Sequence, residues 1–235
     1  MNRIVFLPGL ATDGELFEAQ IRALPAAWQV SVSDAHTRHG RIEDMAAAVL
    51  RDHEGPLVLC GASMGGMVAM EAARQAPGRV RGLALLGTTA RPETPEMRAL
   101  REAAIEQFQA GRVREVLDAN VAFAFHPDHA GDADLVERYV ALVMRAGATQ
   151  LVRQNRAVMA RPDARPHLPS LRCPTLVLCG EADQLTPPDC AREIAELVPG
   201  AHLVMIEGAG HMLTLEQPAR VGALLADWLA RLPAP

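Results

Sequence analysis

Gly61-Ala62-Ser63-Met64-Gly65 is the stretch of this sequence whose residue types most directly imply chemistry. An apolar run, Leu57–Cys60, precedes it and a helix-forming stretch follows. A serine with glycine two places before and two places after it, between a strand and a helix, is the pattern of a sharp turn that presents a nucleophile. Only small residues fit where such a turn is tightest, and the turn lifts the Ser63 hydroxyl above the strand ends. The helix that follows directs its partially positive N-terminus at the same place, which favours negative charge developing there.

A serine hydroxyl is inert at neutral pH without a base. The chain must therefore supply a histidine and an acid to orient it, in the order serine, acid, histidine. Asp183 stands in Gly180-Glu181-Ala182-Asp183, after the apolar run Thr175–Cys179, and His211 in Gly208-Ala209-Gly210-His211, after His202–Ile206. His211 would take the Ser63 proton, and Asp183 would orient the imidazole and stabilise its cation. Glu181, Asp189 and Glu207 compete for the acid's place. Glu181 lies close to its strand and Asp189 opens the next helix, so Asp183 is the better candidate. A tetrahedral oxyanion needs preorganised donors. The Met64 N–H at the helix start is one, and the Leu10 N–H in Leu7-Pro8-Gly9-Leu10-Ala11 is the other, with Ala11 in reserve. Seven further histidines have bland readings. His126 and His129, with Asp128 between them, resemble a ligand cluster but lack a fourth partner, so a solvated connection is expected and no metal.

Loops at the carboxyl ends of parallel strands converge on one crevice, which is how residues so far apart can meet. Strand-like runs occur at Arg3–Leu7, Gln29–Ser33, Leu57–Cys60, Gly82–Leu86, Thr175–Cys179 and His202–Ile206. Most are almost continuously apolar, as strands covered on both faces are. Helical stretches alternate with them: Thr12-x-x-Glu15 reads as a capping box opening a helix to about Ala23, and others run from Ile42 to His53, from Ser63 to Pro77, over Pro188–Leu197 and over Glu216–Leu232. Thr214-x-x-Gln217 is a candidate cap for the last, with Pro218 in its first turn. The alternation predicts an α/β fold with right-handed crossovers. It breaks once, from Pro92 to Leu168, where Thr94–Ala110, Val113–Val121, Asp134–Ala146 and Thr149–Ala160 are helical with no strand between them. The expected division is a core of residues 1–91 and 169–235 with an inserted four-helix cap at 92–168.

Composition narrows the chemistry. The chain has 235 residues, 49% hydrophobic and 22% charged, so it is not a disordered chain. A net charge of −5 argues against nucleic-acid binding by phosphate neutralisation. All 23 cations are arginine, which removes Schiff-base and Walker-lysine chemistry together. The longest uncharged stretch, Gly55–Met70, is shorter than the roughly 18–20 residues that span a bilayer, so no membrane span is expected. The N-terminal run breaks at Pro8-Gly9 and reads as a buried strand rather than a signal peptide. Cys60, Cys173, Cys179 and Cys190 lack CxxC spacing and read as buried thiols of a reduced, cytoplasmic protein.

With the elbow Gly61–Gly65, Gly180-x-x-Asp183 followed by Pro187, and Gly210-His211 followed by Glu216 and Pro218, the sequence resembles the α/β-hydrolase superfamily over nearly its whole length. It looks most similar to small bacterial carboxylesterase-like and enol-lactonase-like members with a helical cap. The resemblance implies a cofactor-free serine hydrolase with Ser63, Asp183 and His211 as triad and Leu10 and Met64 as oxyanion donors. Two departures stand out. The oxyanion loop usually begins His-Gly, and here it is Pro8-Gly9, which loses a loop-anchoring side chain. The first strand is already the one before that loop, leaving a mostly parallel sheet of about six strands. A serine nucleophile argues against the haloalkane dehalogenases, and the lack of a Gly-Gly-Pro-Gly loop against the proline iminopeptidases. Leu10, Met64, Leu185 and Met212, with Phe123, Phe125 and Met159 from the cap, are the candidate substrate-binding residues, suited to a small or medium ester or lactone. Arg153 or Arg156 is a guess for a substrate carboxylate. C–C bond hydrolysis, perhydrolysis and a slow-turnover ligand-binding protein remain as alternatives, and the expected state is a monomer or homodimer.

Overall fold

The apolar runs form one sheet of six parallel strands in the computed structural model, which describes residues 2–233. They are β1 (Asn2–Leu7), β2 (Trp28–Val32), β3 (Leu57–Ala62), β4 (Val80–Leu86), β5 (Thr175–Gly180) and β6 (His202–Ile206), in the order β2-β1-β3-β4-β5-β6. Every residue of β3 and β5 is buried, because both faces of the central strands are covered. The edge strands β2 and β6 are partly exposed. Around the sheet lie α1 (Glu18–Ala23), α2 (Ala35–Arg38), α3 (Ile42–Asp52), α4 (Met64–Gln75), α5 (Pro95–Gln109), α6 (Val113–Ala124), α7 (Ala133–Met159), α8 (Pro188–Leu197), α9 (Leu213–Glu216) and α10 (Pro218–Ala230). Among the described residues no helix is long and apolar enough to cross a membrane.

Alternate residues of each strand feed two cores. Val5, Leu57, Leu59, Leu83 and Leu85 pack with Met45 and Val49 of α3, Val68 of α4 and Ile194 of α8. Ile4, Phe6, Val58, Ala84 and Leu178 pack on the other face with Val221, Leu225 and Trp228 of α10. Each large side chain buried this way stabilises the fold by about 1.5–3 kcal/mol. A third cluster unites Phe108, Val113, Leu117, Val140, Val143 and Leu151 of the three helices between β4 and β5. It also takes in Ala11, from the loop after β1, and Leu10 packs against it. α7 is two helices joined at Gly147, whose backbone (φ 75°, ψ 167°) breaks the helix and lies in the region that favours glycine.

β2 lies to one side of β1 and β3 to the other, so the chain changes its direction of growth between β1 and β3. In open parallel sheets the crevice at the carboxyl ends of two such strands is where ligands bind. The registers Leu7↔Gly61, Ala62↔Leu86 and Gly180↔Ile206 end the strands close to one level, so the loops that follow share one edge.

Two expected caps are not used. Asp13 receives the Glu15 N–H (2.9 Å), while the buried Thr12 donates its hydroxyl back to the Gly9 carbonyl (3.2 Å). Thr214 is buried inside α9 rather than capping α10. α10 starts at Pro218 after Gln217, whose side chain donates instead to the Gly208 carbonyl (3.2 Å). The helix expected at Val113–Val121 runs on to Ala124.

The turn between β3 and α4 excludes side chains on both sides of Ser63. A Cβ on Gly61 would lie 2.3 Å from the Gly65 carbonyl oxygen, and one on Gly65 would lie 1.9 Å from the Leu7 carbonyl oxygen. Both obstacles are backbone and cannot swing away. Gly65→Ala is therefore expected to cost about 3 kcal/mol or more in urea unfolding. A loss below about 1 kcal/mol would show that the turn can relax.

Candidate active site

Ser63 sits at the tip of that turn with φ 51° and ψ −116°. Its N–H donates to the Leu86 carbonyl (2.8 Å), and its own carbonyl accepts the Gly66 N–H (2.9 Å) and the Thr88 hydroxyl (2.7 Å). The backbone is thus held on the β4 side and the β3–α4 side at once, with only the side chain left to project. Ser63 Oγ lies 3.1 Å from His211 Nε2. His211 Nδ1 lies 2.9 Å from Asp183 Oδ2 and 3.0 Å from Oδ1. A carboxylate can only accept, so Nδ1 carries the proton and Nε2 is left to take one from the hydroxyl.

Asp183 is buried, and burial opposes its charge, but four donors compensate. The Leu185 and Thr186 N–H groups reach Oδ1 (2.9 Å each), the Thr186 hydroxyl reaches Oδ2 (2.8 Å), and His211 supplies the fourth. The result is an Asp183 carboxyl held below the ordinary carboxylate range. Burial likewise disfavours a charged His211, yet the Asp183 carboxylate outweighs it, and the imidazole pKa ends above its ordinary 6.5. Glu216 adds to the rise, and Arg101 works against it. Gly87 passes directly under the pair, where a Cβ would lie 3.3 Å from Asp183 Oδ2.

Of the three competing acids two are engaged elsewhere, and Glu207 is exposed. Glu181 accepts the Gly208 N–H (3.0 Å), and Asp189 pairs with Arg91 (2.8 Å). Glu216 has a part that residue spacing did not reveal. Completely buried, it accepts the Gly210 N–H (2.8 Å), the His126 N–H (2.7 Å) and His129 Nδ1 (3.2 Å), tying the loop before His211 to the end of α6. His129, expected to be solvated, is therefore a carboxylate partner. Among the described residues no group of three or more His, Cys, Asp or Glu could hold a metal ion. Thr186 was also invisible to spacing, because only the folded loop turns its hydroxyl onto Asp183.

The loop after β1 runs against Ser63: a Cβ on Gly9 would lie 3.4 Å from Ser63 Cβ. Among the described residues the N–H groups of Leu10 and Met64 have no hydrogen-bond partner, whereas the reserve donor, Ala11 N–H, is taken by Gln154 Oε1 (2.6 Å). Of the expected substrate-binding side chains, Leu10 is half-buried against the helical cluster and Met64 is packed with α4 in the first core. Met212 and Phe125 are packed in the second, where Phe125 meets Tyr139 edge to face at 5.5 Å. Met159 is buried near the end of α7, and Phe123 and Leu185 are 47% and 44% exposed. Arg153 donates to the Thr37 carbonyl and Gln150, bracing α7 on α2, and Arg156 is exposed. The arginine whose field reaches His211 is Arg101 of α5, held by Glu93 (2.7 Å) and Asn155 (2.9 Å).

Chemically, the arrangement can deprotonate a serine on attack, and it leaves two backbone donors beside that serine open to an oxyanion. The sequence model of the alpha/beta hydrolase family matches residues 4–224. The chain is 28% identical over 247 residues to a pimeloyl-[acyl-carrier protein] methyl ester esterase of Neisseria meningitidis serogroup B, covering 97% of this chain and 93% of that protein. It is 32% identical over 239 residues to polyketide synthase ThaQ of Burkholderia thailandensis, covering 91% of this chain but only 11% of that protein's length. A solved structure of a thermophilic esterase from Thermogutta terrifontis superposes with a TM-score of 0.88 at 27% identity, over 100% of this chain and 91% of that one.

The His211–Asp183 contact has a measurable signature. In an NMR titration the His211 imidazole is expected to titrate above 6.5 in the wild-type protein and lower in Asp183→Asn, which keeps the shape and removes the charge. An unchanged midpoint would mean that Asp183 does not set the imidazole pKa. Because the folded pKa is raised, this contact stabilises the fold fully below pH 6.5 and loses its contribution as pH rises through the folded value.

Proposed function

This chain belongs to the alpha/beta hydrolase family, and on that footing we propose that it hydrolyses small to medium carboxylic esters or lactones through an acyl-serine intermediate. The observation that carries the reading is the relay in which Ser63 Oγ lies 3.1 Å from His211 Nε2 and Asp183 lies 2.9 Å from the other ring nitrogen. Ser63 attacks the ester carbonyl while His211 takes its proton, and the carbonyl oxygen becomes an oxyanion received by the Leu10 and Met64 N–H groups. Collapse breaks the bond to the alcohol oxygen, which leaves with the proton from His211. Water then attacks the acyl-serine with His211 again as base, releasing the acid and restoring Ser63. No step calls for a cofactor. The names of the Neisseria and Thermogutta proteins, both ester hydrolases, support the same bond type. Residues 92–168 act in this reading as a cap over the core formed by residues 1–91 and 169–235.

The test uses a fluorophosphonate probe and p-nitrophenyl esters from C2 to C12, on the wild type and Ser63→Ala. Labelling and turnover are both expected and both vanish in Ser63→Ala. Their persistence without Ser63 would sink the proposal, and fast labelling with negligible turnover of esters or lactones would point to a ligand-binding role. In the wild type, kcat/KM is expected to rise with pH through one apparent pKa above 6.5, because the base must be neutral to accept a proton and its pKa is raised. A profile flat from pH 5 to 9 would contradict His211 as base.

A further inference from the structure

Among the described residues only two non-glycine residues have positive φ, Ser63 (51°) and Ala11 (53°). Such a backbone is strained for an L-residue and persists only where its surroundings impose it. At Ser63 the reversal from strand to helix imposes it. At Ala11 the constraint comes from elsewhere. The Ala11 N–H donates to Oε1 of Gln154 at 2.6 Å, across 143 residues of sequence, and its methyl group is buried in the cluster of the helices between β4 and β5.

Gln154 is itself fully buried on α7. Its Nε2 donates to the His36 carbonyl (3.0 Å), and His36 Nε2 in turn meets the Thr12 carbonyl (2.9 Å). The polarity of this ring is fixed, because toward Gln154 Ala11 offers only a donor and His36 only a carbonyl oxygen, and the Thr12 carbonyl can only accept from His36 Nε2. Burial holds the His36 pKa down, so the ring is made of neutral groups. Thr12 closes it on the near side, with its N–H (3.3 Å) and hydroxyl (3.2 Å) both on the Gly9 carbonyl. The segment so enclosed contains Leu10, with its N–H unpartnered, beside Ser63. Pro8 has no side-chain group that could hydrogen-bond to fix the loop, and an amide from a distant helix grips it.

We propose that Gln154 is the positioning residue of the oxyanion loop: by holding Ala11 it aims the Leu10 N–H at the carbonyl oxygen of the substrate, so that α7 is a working part of the oxyanion site. This rests on the acyl-serine reading above. A side chain acting only through the loop affects the charged, tetrahedral state and leaves the ground state alone, which separates it from a residue that merely binds substrate.

The experiment compares wild type with Gln154→Ala and the isosteric Gln154→Glu, assaying p-nitrophenyl butyrate and an aliphatic trifluoromethyl ketone. That ketone is attacked by Ser63 Oγ as the proton passes to His211, leaving a tetrahedral alkoxide in the oxyanion site. In Gln154→Ala, kcat is expected to fall roughly 10- to 100-fold, short of the ~10²–10³ for deleting an oxyanion donor outright. KM should stay within about twofold, and the ketone's inhibition constant should rise in step with the fall in kcat/KM. The midpoint of the pH profile should not move, because the His211–Asp183 contact is untouched. Gln154→Glu keeps the acceptor for Ala11 but, once ionised, turns an oxygen on the His36 carbonyl, so its activity should fall further as pH rises. This second variant carries the test if Gln154→Ala fails to fold. A kcat/KM within threefold of wild type, a loss confined to KM, or an unchanged inhibition constant would overturn the proposal while leaving the acyl-serine reading intact. A wild type that the fluorophosphonate does not label would overturn both.

Discussion

The reversal of the chain between β3 and α4 leaves no room for a side chain two positions either side of Ser63, and the site is arranged around that constraint. Gly61 faces the backbone of Gly65, and Gly65 faces the carbonyls of Leu7 and Pro8, so three stretches of main chain meet with no side chain between them. That contact brings the end of β1 within reach of Ser63. It also explains why the loop carrying Leu10 lies beside Ser63 rather than a side chain's width away. The topology does the rest: β1 and β3 are neighbours at the point where the sheet changes its direction of growth, the place where open parallel sheets bind their ligands.

Charge is balanced around His211 by groups from both sides of the sheet's carboxyl edge. Asp183 is the dominant partner, and its burial is tolerated because three donors besides His211 are already aimed at it. An isolated buried carboxylate would instead take up a proton. Glu216 is a second buried carboxylate nearby, spent on backbone N–H groups and His129, and Arg101 opposes both in its effect on the imidazole. The imidazolium formed during a reaction would thus be favoured by two anions and restrained by one cation.

What could be read from residue order was whatever depends on local geometry. The strand–turn–helix around Ser63, the near-continuous apolar strands and the helical stretches between Pro92 and Leu168 all lie within short windows, and each is present in the folded chain. That Asp183 and His211 could meet Ser63 was legible because each follows a strand end, and strand ends share an edge. Gln154, Glu216 as a brace, Thr186 and Arg101 were not found, since their partners lie in distant segments or across a folded loop. Arg153 was weighed for substrate binding only because it is cationic, and the fold turns it toward Thr37. The capping box failed for a related reason: Thr12 and Asp13 are both competent caps, and burial of Thr12 in the Gly9 turn decided between them.

The break in α7 at Gly147 has a bearing on how this scaffold can be altered. On its N-terminal side, Arg145 pairs with Asp13 and Glu15, and on its C-terminal side Gln154 grips Ala11. One short loop is therefore clasped by both halves of a single bent helix. α5 and α6 make no such attachment to that loop beyond apolar packing. In engineering terms the helices over the sheet are two modules with different attachments. Residues 133–159 must travel with the loop they hold, whereas residues 95–124 are tied instead to the far side of the site, through Ala124, whose carbonyl accepts the Met212 N–H (3.0 Å), and Arg101.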